Sequence, residues 1–268
     1  MMDEPSRPLH VALLQMNIKA GDPDANFRRL GELLEEAVAG DPKPDIVMFP
    51  EMWNTGYALD RIEELADPQG KRTLALLGEY ARKHQVHLLA GSIAERRDDG
   101  VYNTAYVLDR AGAVRASYSK IHLFRLMEEE KHLQAGDRPG TLELDGIAAG
   151  MMICYDIRFP ELARRLALGG ARMLFVPAEW PNPRLHHWRT LLTARAIENQ
   201  MYVIACNRTG TSGATSFFGH SMIIDPWGEV VAEAGEAETV LRAVVDPALT
   251  EEVRGRIPVF EDRRPALY

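Results

Sequence analysis

Three side chains of this 268-residue sequence have types and positions suited to chemistry: Cys154, Glu51 and Lys120. Cys154 closes the apolar run Ile147-Ala-Ala-Gly-Met-Met-Ile-Cys and is followed by Tyr155-Asp-Ile-Arg-Phe-Pro160, a polar turn leading into a helix. A thiol so placed stands at the carboxyl end of a buried strand beside a helix start. Ligands bind at that edge in α/β sheets, and a helix N-terminus there lowers a thiol pKa and stabilises anions. Glu51 follows a second apolar run, Asp45-Ile-Val-Met-Phe-Pro50, in which Pro50 keeps the residue before it out of helix. A carboxylate in a partly dry cleft has a raised pKa, can take a proton from a thiol and can pass it to a leaving amine. Lys120 ends the strand-like segment Ser117-Tyr-Ser-Lys, where an ammonium can hold the oxyanion of a tetrahedral intermediate together with the backbone N–H of Tyr155. Each residue alone also has a plainer reading. A cysteine among hydrophobic residues is usually inert core, a strand-end glutamate is usually surface, and most lysines are solvated. Cys206, in Val203-Ile-Ala-Cys, fits the inert reading.

Such residues need a frame that gathers several strand ends at one edge. Short apolar runs alternate with amphipathic segments along the chain, the pattern of a layered α/β protein. Strands are expected at 10–16, 45–49, 87–92, 147–154, 173–176, 202–207, 220–224, 229–233 and 240–245. A helix is expected at 26–39, where Phe27, Leu30, Leu33, Leu34, Ala37 and Val38 share a face, and another at 71–84, with Leu74, Leu77, Ala81 and Leu76 inward. Two more are expected at 160–168 and 184–199. The segments 101–109 and 113–118, joined by Arg110-Ala-Gly112, read as a hairpin, and Asp225-Pro-Trp-Gly228 reads as a turn. The two halves share an element order without a short-period repeat. The expected organisation is one domain over 1–250 and a charged, proline-containing tail over 251–268.

With 46% hydrophobic and 26% charged residues the composition is that of an ordinary globular protein able to bury a large core. A net charge of −8, with no local cluster of Lys and Arg to offset it, repels polyphosphate backbones, so nucleic acid is not an expected partner. The N-terminal stretch MMDEPSRPLHVALLQM starts acidic and has only a short apolar run, which fits neither a signal peptide nor a membrane span. A cytoplasmic location and two unpaired cysteines are expected, and no membrane association. Other chemistries fit less well. A papain-like cysteine sits at a helix start near the mature N-terminus, whereas Cys154 follows a strand in mid-chain. His84 and His87 form only an HxxH pair, His186 and His187 are adjacent, and no CxxC or HExxH string occurs, so no metal and no organic cofactor is expected.

The strings that hold the three residues carry a more specific signal: Phe49-Pro-Glu-Met-Trp-Asn-Thr-Gly-Tyr57, Tyr118-Ser-Lys-Ile-His-Leu-Phe124 and Ile153-Cys-Tyr-Asp-Ile-Arg-Phe-Pro-Glu161. They resemble the three signature motifs of the nitrilase (carbon–nitrogen hydrolase) superfamily, in that family's order, and the resemblance runs from Val11 to about Tyr268. It implies a four-layer α-β-β-α sandwich and a hydrolase that cleaves a carbon–nitrogen bond through a cysteine thioester. In that scheme Glu51 is the base, Lys120 the transition-state stabiliser and Cys154 the nucleophile. It also implies a second glutamate between the lysine and the cysteine. In Met127-Glu-Glu-Glu-Lys-His-Leu-Gln-Ala-Gly136 the spacing to Gly136 points to Glu129, with Glu128 and Glu130 as the neighbouring alternatives.

The segments 178–188, 194–200 and 219–228 resemble the omega-amidase branch, which implies a small linear amide as substrate, such as the terminal amide of 2-oxoglutaramate, with release of ammonia. Nitriles and N-carbamoyl amino acids are the alternative substrate classes, and a noncatalytic metabolite- or partner-binding member is the alternative outside catalysis. Tyr57 and Trp180 are expected to wall the pocket, with His187 nearby. Arg184, on a loop stiffened by Pro181 and Pro183, is expected to offer a carboxylate its planar fork of donors. The resemblance further implies a homodimer with the tail packed across its two-fold interface.

Overall fold

Strand β1 (Leu9–Gln15) shows how the sequence builds layers. Leu9, Val11 and Leu13 join one buried cluster, shared with strands of a second sheet, while Ala12 and Leu14 join another beneath two helices. Successive side chains of a strand point to opposite faces, so a run apolar at every position is one covered on both faces. In β2 (Ile46–Met48) the same alternation places Ile46 and Met48 in the first cluster and Val47 in the second. The computed structural model describes residues 7–267; residues 1–6, which carry the acidic N-terminal start, and Tyr268 lie outside the described residues.

The first sheet adds β3 (Asp67–Pro68), β4 (His87–Arg97), β5 (Gly100–Leu108), β6 (Val114–Ser119) and β15 (Thr239–Val245), in the order β15-β1-β2-β4-β5-β6 with β3 paired to β4. The second contains β7 (Gly140–Leu144), β8 (Ile147–Met151), β9 (Met173–Ala178), β10 (Tyr202–Asn207), β13 (Met222–Ile224) and β14 (Val230–Glu233), in the order β14-β13-β10-β9-β8-β7. The sheets meet where β1 faces β10 and β4 faces β9. Helices α1 (Pro23–Val38) and α3 (Lys71–His84) cover the first sheet, and α4 (Pro160–Leu168) and α5 (Leu185–Asn199) cover the second; α2 (Ile62–Leu65) is a single turn. The layers are therefore α-β-β-α, as expected. Helix α1 starts at Pro23, before the expected Asn26, because Asp22 accepts the Ala25 N–H at 3.0 Å and Pro23 suits the first turn.

Several boundaries differ from the expectation. Strand β8 stops at Met151, so Cys154 stands beyond the strand, in a separate turn. Leu76 is 40% exposed, off the stripe of Thr73, Leu77 and Ala81 that α3 buries. The hairpin of β11 (Thr209–Ser212) and β12 (Thr215–Phe218) and the edge strand β7 have no counterpart among the expected elements: the first two are short and mostly polar. Helix α6 (Ala248–Arg256) is a further addition, and it crosses the boundary drawn at 250/251. Its Thr250 and Val253 are buried, so the body of the fold continues through Arg256. Beyond it the Phe260 ring centroid lies 5.2 Å from the guanidinium of Arg164 and 4.9 Å from that of Arg254.

Candidate active site

Glu51 stands three residues past β2, in a turn seated directly on β4. Gly91 makes this approach possible: it has φ +55°, lies at the register shift of β4, and a Cβ there would come within 2.1 Å of the Pro50 carbonyl oxygen. The Ser92 N–H donates to that carbonyl at 3.1 Å, and the Met52 N–H donates to Ser92 Oγ at 3.0 Å. Lys120 follows β6 and is pinned by its own N–H on the Asn103 carbonyl, 2.9 Å, and by the Gly136 N–H on its carbonyl, 2.8 Å. Cys154 opens a 3-10 turn, Cys154–Arg158, with φ +47°. A side chain in left-handed backbone is strained by of order 1–3 kcal/mol and persists where the surroundings enforce it.

Asp156 supplies that enforcement. Buried in the same turn, it accepts the Ile153 N–H at 2.9 Å and the Tyr118 hydroxyl at 2.7 Å through Oδ2. Its Oδ1 accepts the His122 N–H at 3.0 Å and lies 2.7 Å from His122 Nδ1. One carboxylate thus ties the turn of Cys154 to residues on both sides of Lys120.

The side chains converge on Lys120. Its Nζ lies 2.9 Å from Glu51 Oε1, 2.7 Å from Glu129 Oε1 and 3.3 Å from Tyr57 Oη. Tyr57 Oη lies 2.7 Å from Glu51 Oε1 and 2.6 Å from Glu129 Oε1. Asn103 Nδ2 donates to Glu51 Oε1 at 2.8 Å, the Glu179 N–H donates to Glu51 Oε2 at 2.8 Å, and the Cys154 thiol also hydrogen-bonds to Glu51. Of the three consecutive glutamates only Glu129 is buried here, its Oε2 accepting the Phe124 N–H at 2.9 Å. Glu128 pairs with Lys131 at the surface, and Glu130 is exposed.

The electrostatics differ from the expectation at two groups. Burial pushes Glu51 up, but the Lys120 ammonium and the hydrogen bonds to Glu51 outweigh it and hold the carboxyl below its usual value rather than above it. Burial, reinforced by Glu51, pushes the Cys154 thiol well up, where a helix start was expected to lower it. Burial also raises Glu129, which shares the ammonium with Glu51. Lys120 stays protonated, because Glu129 and Glu51 outweigh the burial that disfavours its charge. The resting arrangement is a neutral thiol beside an ionised carboxylate.

Cys154 faces a cavity of about 20 Å³. Tyr57, Trp180 and Arg184 line it, together with Phe124, Met127 and Tyr155. Tyr57 is more than a wall, since its hydroxyl bridges the two glutamates. His187 is not among the lining residues; its Nδ1 lies 3.4 Å from Nη2 of Arg158, which is one of them. Sequence reasoning missed Arg158 and Glu179, both in the lining. The signal for Arg158 was its place four residues past Cys154 in a polar turn. Its guanidinium lies 4.7 Å from the Trp180 ring centroid, burial lowers its pKa, and Arg184 adds to that lowering by repulsion. Among the described residues no carboxylate pairs with Arg158 or Arg184. Cys206 lies in β10 with its Sγ 3.4 Å from the Leu14 carbonyl oxygen, inside the core between the sheets.

Comparison with known proteins agrees with this architecture. The family described as carbon-nitrogen hydrolase matches residues 10–255. The chain is 47% identical over 258 residues to the 2-oxoglutaramate amidase of Bacillus subtilis (strain 168), covering 96% of this chain and 98% of that protein. It is 34% identical over 269 residues to omega-amidase NIT2 of Homo sapiens, covering 96% of each. Among solved structures, Saccharomyces cerevisiae Nit3, described as a member of branch 10 of the nitrilase superfamily, superposes with a TM-score of 0.90 at 31% identity, covering 97% of this chain and 98% of that one.

Proposed function

The chain belongs to the carbon-nitrogen hydrolase family, and from that premise we propose that it removes the terminal amide nitrogen of a small 2-oxo-dicarboxylate monoamide, such as 2-oxoglutaramate, as ammonia. The observation that carries this reading is a cavity lined both by Cys154, whose thiol hydrogen-bonds to the Glu51 carboxylate that Lys120 holds, and by two guanidinium groups, Arg158 and Arg184, that have no carboxylate partner among the described residues. Two cations that repel each other across a small space favour an anion between them. The names of the similar proteins, an amidase of 2-oxoglutaramate and an omega-amidase, support the same substrate class.

In this reading Glu51 takes the thiol proton as Cys154 Sγ attacks the amide carbon. Lys120 and the N–H of Tyr155 hold the oxyanion; the first N–H groups of a helical turn lack internal partners and are free for that task. The tetrahedral intermediate collapses with the carbon–nitrogen bond breaking, and the nitrogen leaves as ammonia with the proton from Glu51. A water molecule, deprotonated by Glu51 and positioned by Glu129, then attacks the thioester, which releases the carboxylic acid and returns the proton to Cys154. No metal or organic cofactor takes part in these steps. We further place the protein in the cytoplasm as a homodimer with residues 257–267 of the tail at its interface. Among the described residues no helix is long and apolar enough to cross a membrane.

The test is a substrate panel of omega-amides, nitriles and N-carbamoyl amino acids, combined with Arg184→Ala. A charged hydrogen bond contributes about 1.5–3 kcal/mol, so KM for 2-oxoglutaramate should rise by roughly 10- to 150-fold while a neutral amide of similar size is little affected. Equal losses on both substrates would move carboxylate recognition away from Arg184. Turnover of nitriles or carbamoyl compounds in preference to omega-amides would overturn the substrate class.

A further inference from the structure

Glu179 is a buried acid that the steps above leave without a role. It follows β9 directly, and its N–H already holds Glu51 Oε2. Its side chain is fully buried and accepts from Arg208 Nη1 at 3.1 Å through Oε2. Arg208 is itself fully buried and fixed from other sides. Its Nε donates to the Thr209 carbonyl at 3.2 Å, its Nη2 donates to the Ile18 carbonyl at 2.5 Å, and its guanidinium lies 4.2 Å from the Phe217 ring centroid. An immobile guanidinium therefore sets the orientation of the Glu179 carboxyl. The other oxygen, Oε1, has no hydrogen-bond partner among the described residues, and Glu179 lines the cavity that Cys154 faces. A buried oxygen without a donor is unfavourable, and such a group is expected where a ligand supplies the donor.

The chemistry of that donor follows from what the cavity already provides. A primary amide presents one carbonyl oxygen, which needs donors, and an –NH2 group, which needs two acceptors. Lys120 and the Tyr155 N–H suit the oxygen. On the nitrogen side Glu51 offers one acceptor, but its Oε1 already receives Lys120, Tyr57 and Asn103. We propose that Glu179 is a specificity-determining residue that accepts a hydrogen bond from the –NH2 of the scissile amide through Oε1, so that the site selects a primary amide over the ester of the same acid. The proposal rests on the amidase reading above and adds to it the group that recognises the leaving nitrogen. Burial pushes Glu179 up to about 8, and a hydrogen bond donated to Oε1 favours its ionised form.

The experiment compares kcat/KM for 2-oxoglutaramate with kcat/KM for the omega-methyl ester of 2-oxoglutarate, in wild type and in Glu179→Gln. Glutamine keeps the shape and an acceptor for Arg208, and its Nε2 turns the unpartnered acceptor into a donor that opposes the substrate –NH2. The amide value should fall by about 10- to 100-fold, with the ester value within about threefold of wild type. Both values come from one preparation, so a partly unfolded sample lowers them together and leaves their ratio unchanged. Glu179→Asp, which keeps an acceptor of shorter reach, should give an intermediate ratio. A parallel loss on both substrates, or no change in either, overturns the proposal and leaves Glu179 as a support for Arg208 and Glu51. A wild-type protein that hydrolyses the ester but no omega-amide overturns the proposal together with the functional reading beneath it.

Discussion

Cys154 and Glu51 meet as a neutral thiol and an ionised carboxylate, because burial raises the thiol while Lys120 lowers the acid. A thiol with so high a pKa has almost no free thiolate at neutral pH, so its reactivity depends on a base that takes the proton during attack. Two outcomes are expected. Cys154→Ala abolishes turnover while Cys206→Ala retains it, since Cys206 is sealed in the core against Leu14 and Met48; comparable losses from both would give Cys154 a structural role. Glu51→Gln, which cannot accept the proton, lowers kcat by roughly 10²–10⁴-fold and slows alkylation of Cys154 by iodoacetamide. A variant within about threefold of wild type, roughly 0.65 kcal/mol, would exclude Glu51 as the base.

The short elements that carry these residues are set by close backbone approaches rather than by regular periodicity. Gly91 is the clearest case, since any side chain there meets Pro50 next to Glu51 and also carries the penalty of φ +55°. Gly91→Ala is expected to destabilise the fold by about 2–4 kcal/mol, combining overpacking with left-handed strain. Gly31 lies in α1, where an added Cβ would meet nothing within 4 Å, so Gly31→Ala should instead stabilise by about 0.5–1 kcal/mol through helix propensity. Thermal unfolding of the two variants distinguishes them by sign. A Gly91→Ala protein as stable as wild type would show that the turn of Glu51 is not seated on β4 in the way described.

At the scale of the molecule, the cluster joins the edges of two sheets: Glu51 and Lys120 leave the first, and Cys154 and Glu179 leave the second. The packed core between the sheets fixes the edges relative to each other. On the outer side of the second sheet, Ile197 of α5 and Trp227 are both exposed, with the Arg256 guanidinium of α6 5.7 Å from the Trp227 ring centroid. Exposed apolar side chains of this kind suit burial between copies of the chain, beside the tail in the proposed homodimer. Light scattering at micromolar concentration should give about twice the mass of the 30.0 kDa chain, and Ile197→Asp should lower it toward the monomer. A monomeric wild type would count against the assembly.

The sequence by itself determined the elements with a periodic pattern and singled out the candidate reactive residues. Alternation in β1 and β2 and the stripe of Phe27, Leu30, Leu33 and Leu34 in α1 were legible because periodicity is encoded by neighbours a few residues apart. Elements without such a pattern, such as the polar hairpin β11–β12 and helix α6, were not. Glu51, Lys120 and Cys154 stood out through their motifs, but the three glutamates at 128–130 could not be told apart. The reach of one side chain to Lys120 depends on a turn in which Glu128 takes φ +58°, and that conformation leaves no periodic trace. Only the tertiary structure decided the protonation of the cluster and the identity of Arg158 and Glu179 as cavity residues. Lys120 lies 69 residues from Glu51 in sequence, and the N–H of Glu179 reaches Glu51 across 128. Charge interactions and desolvation are set by such distances in space, which the local pattern of the chain does not record.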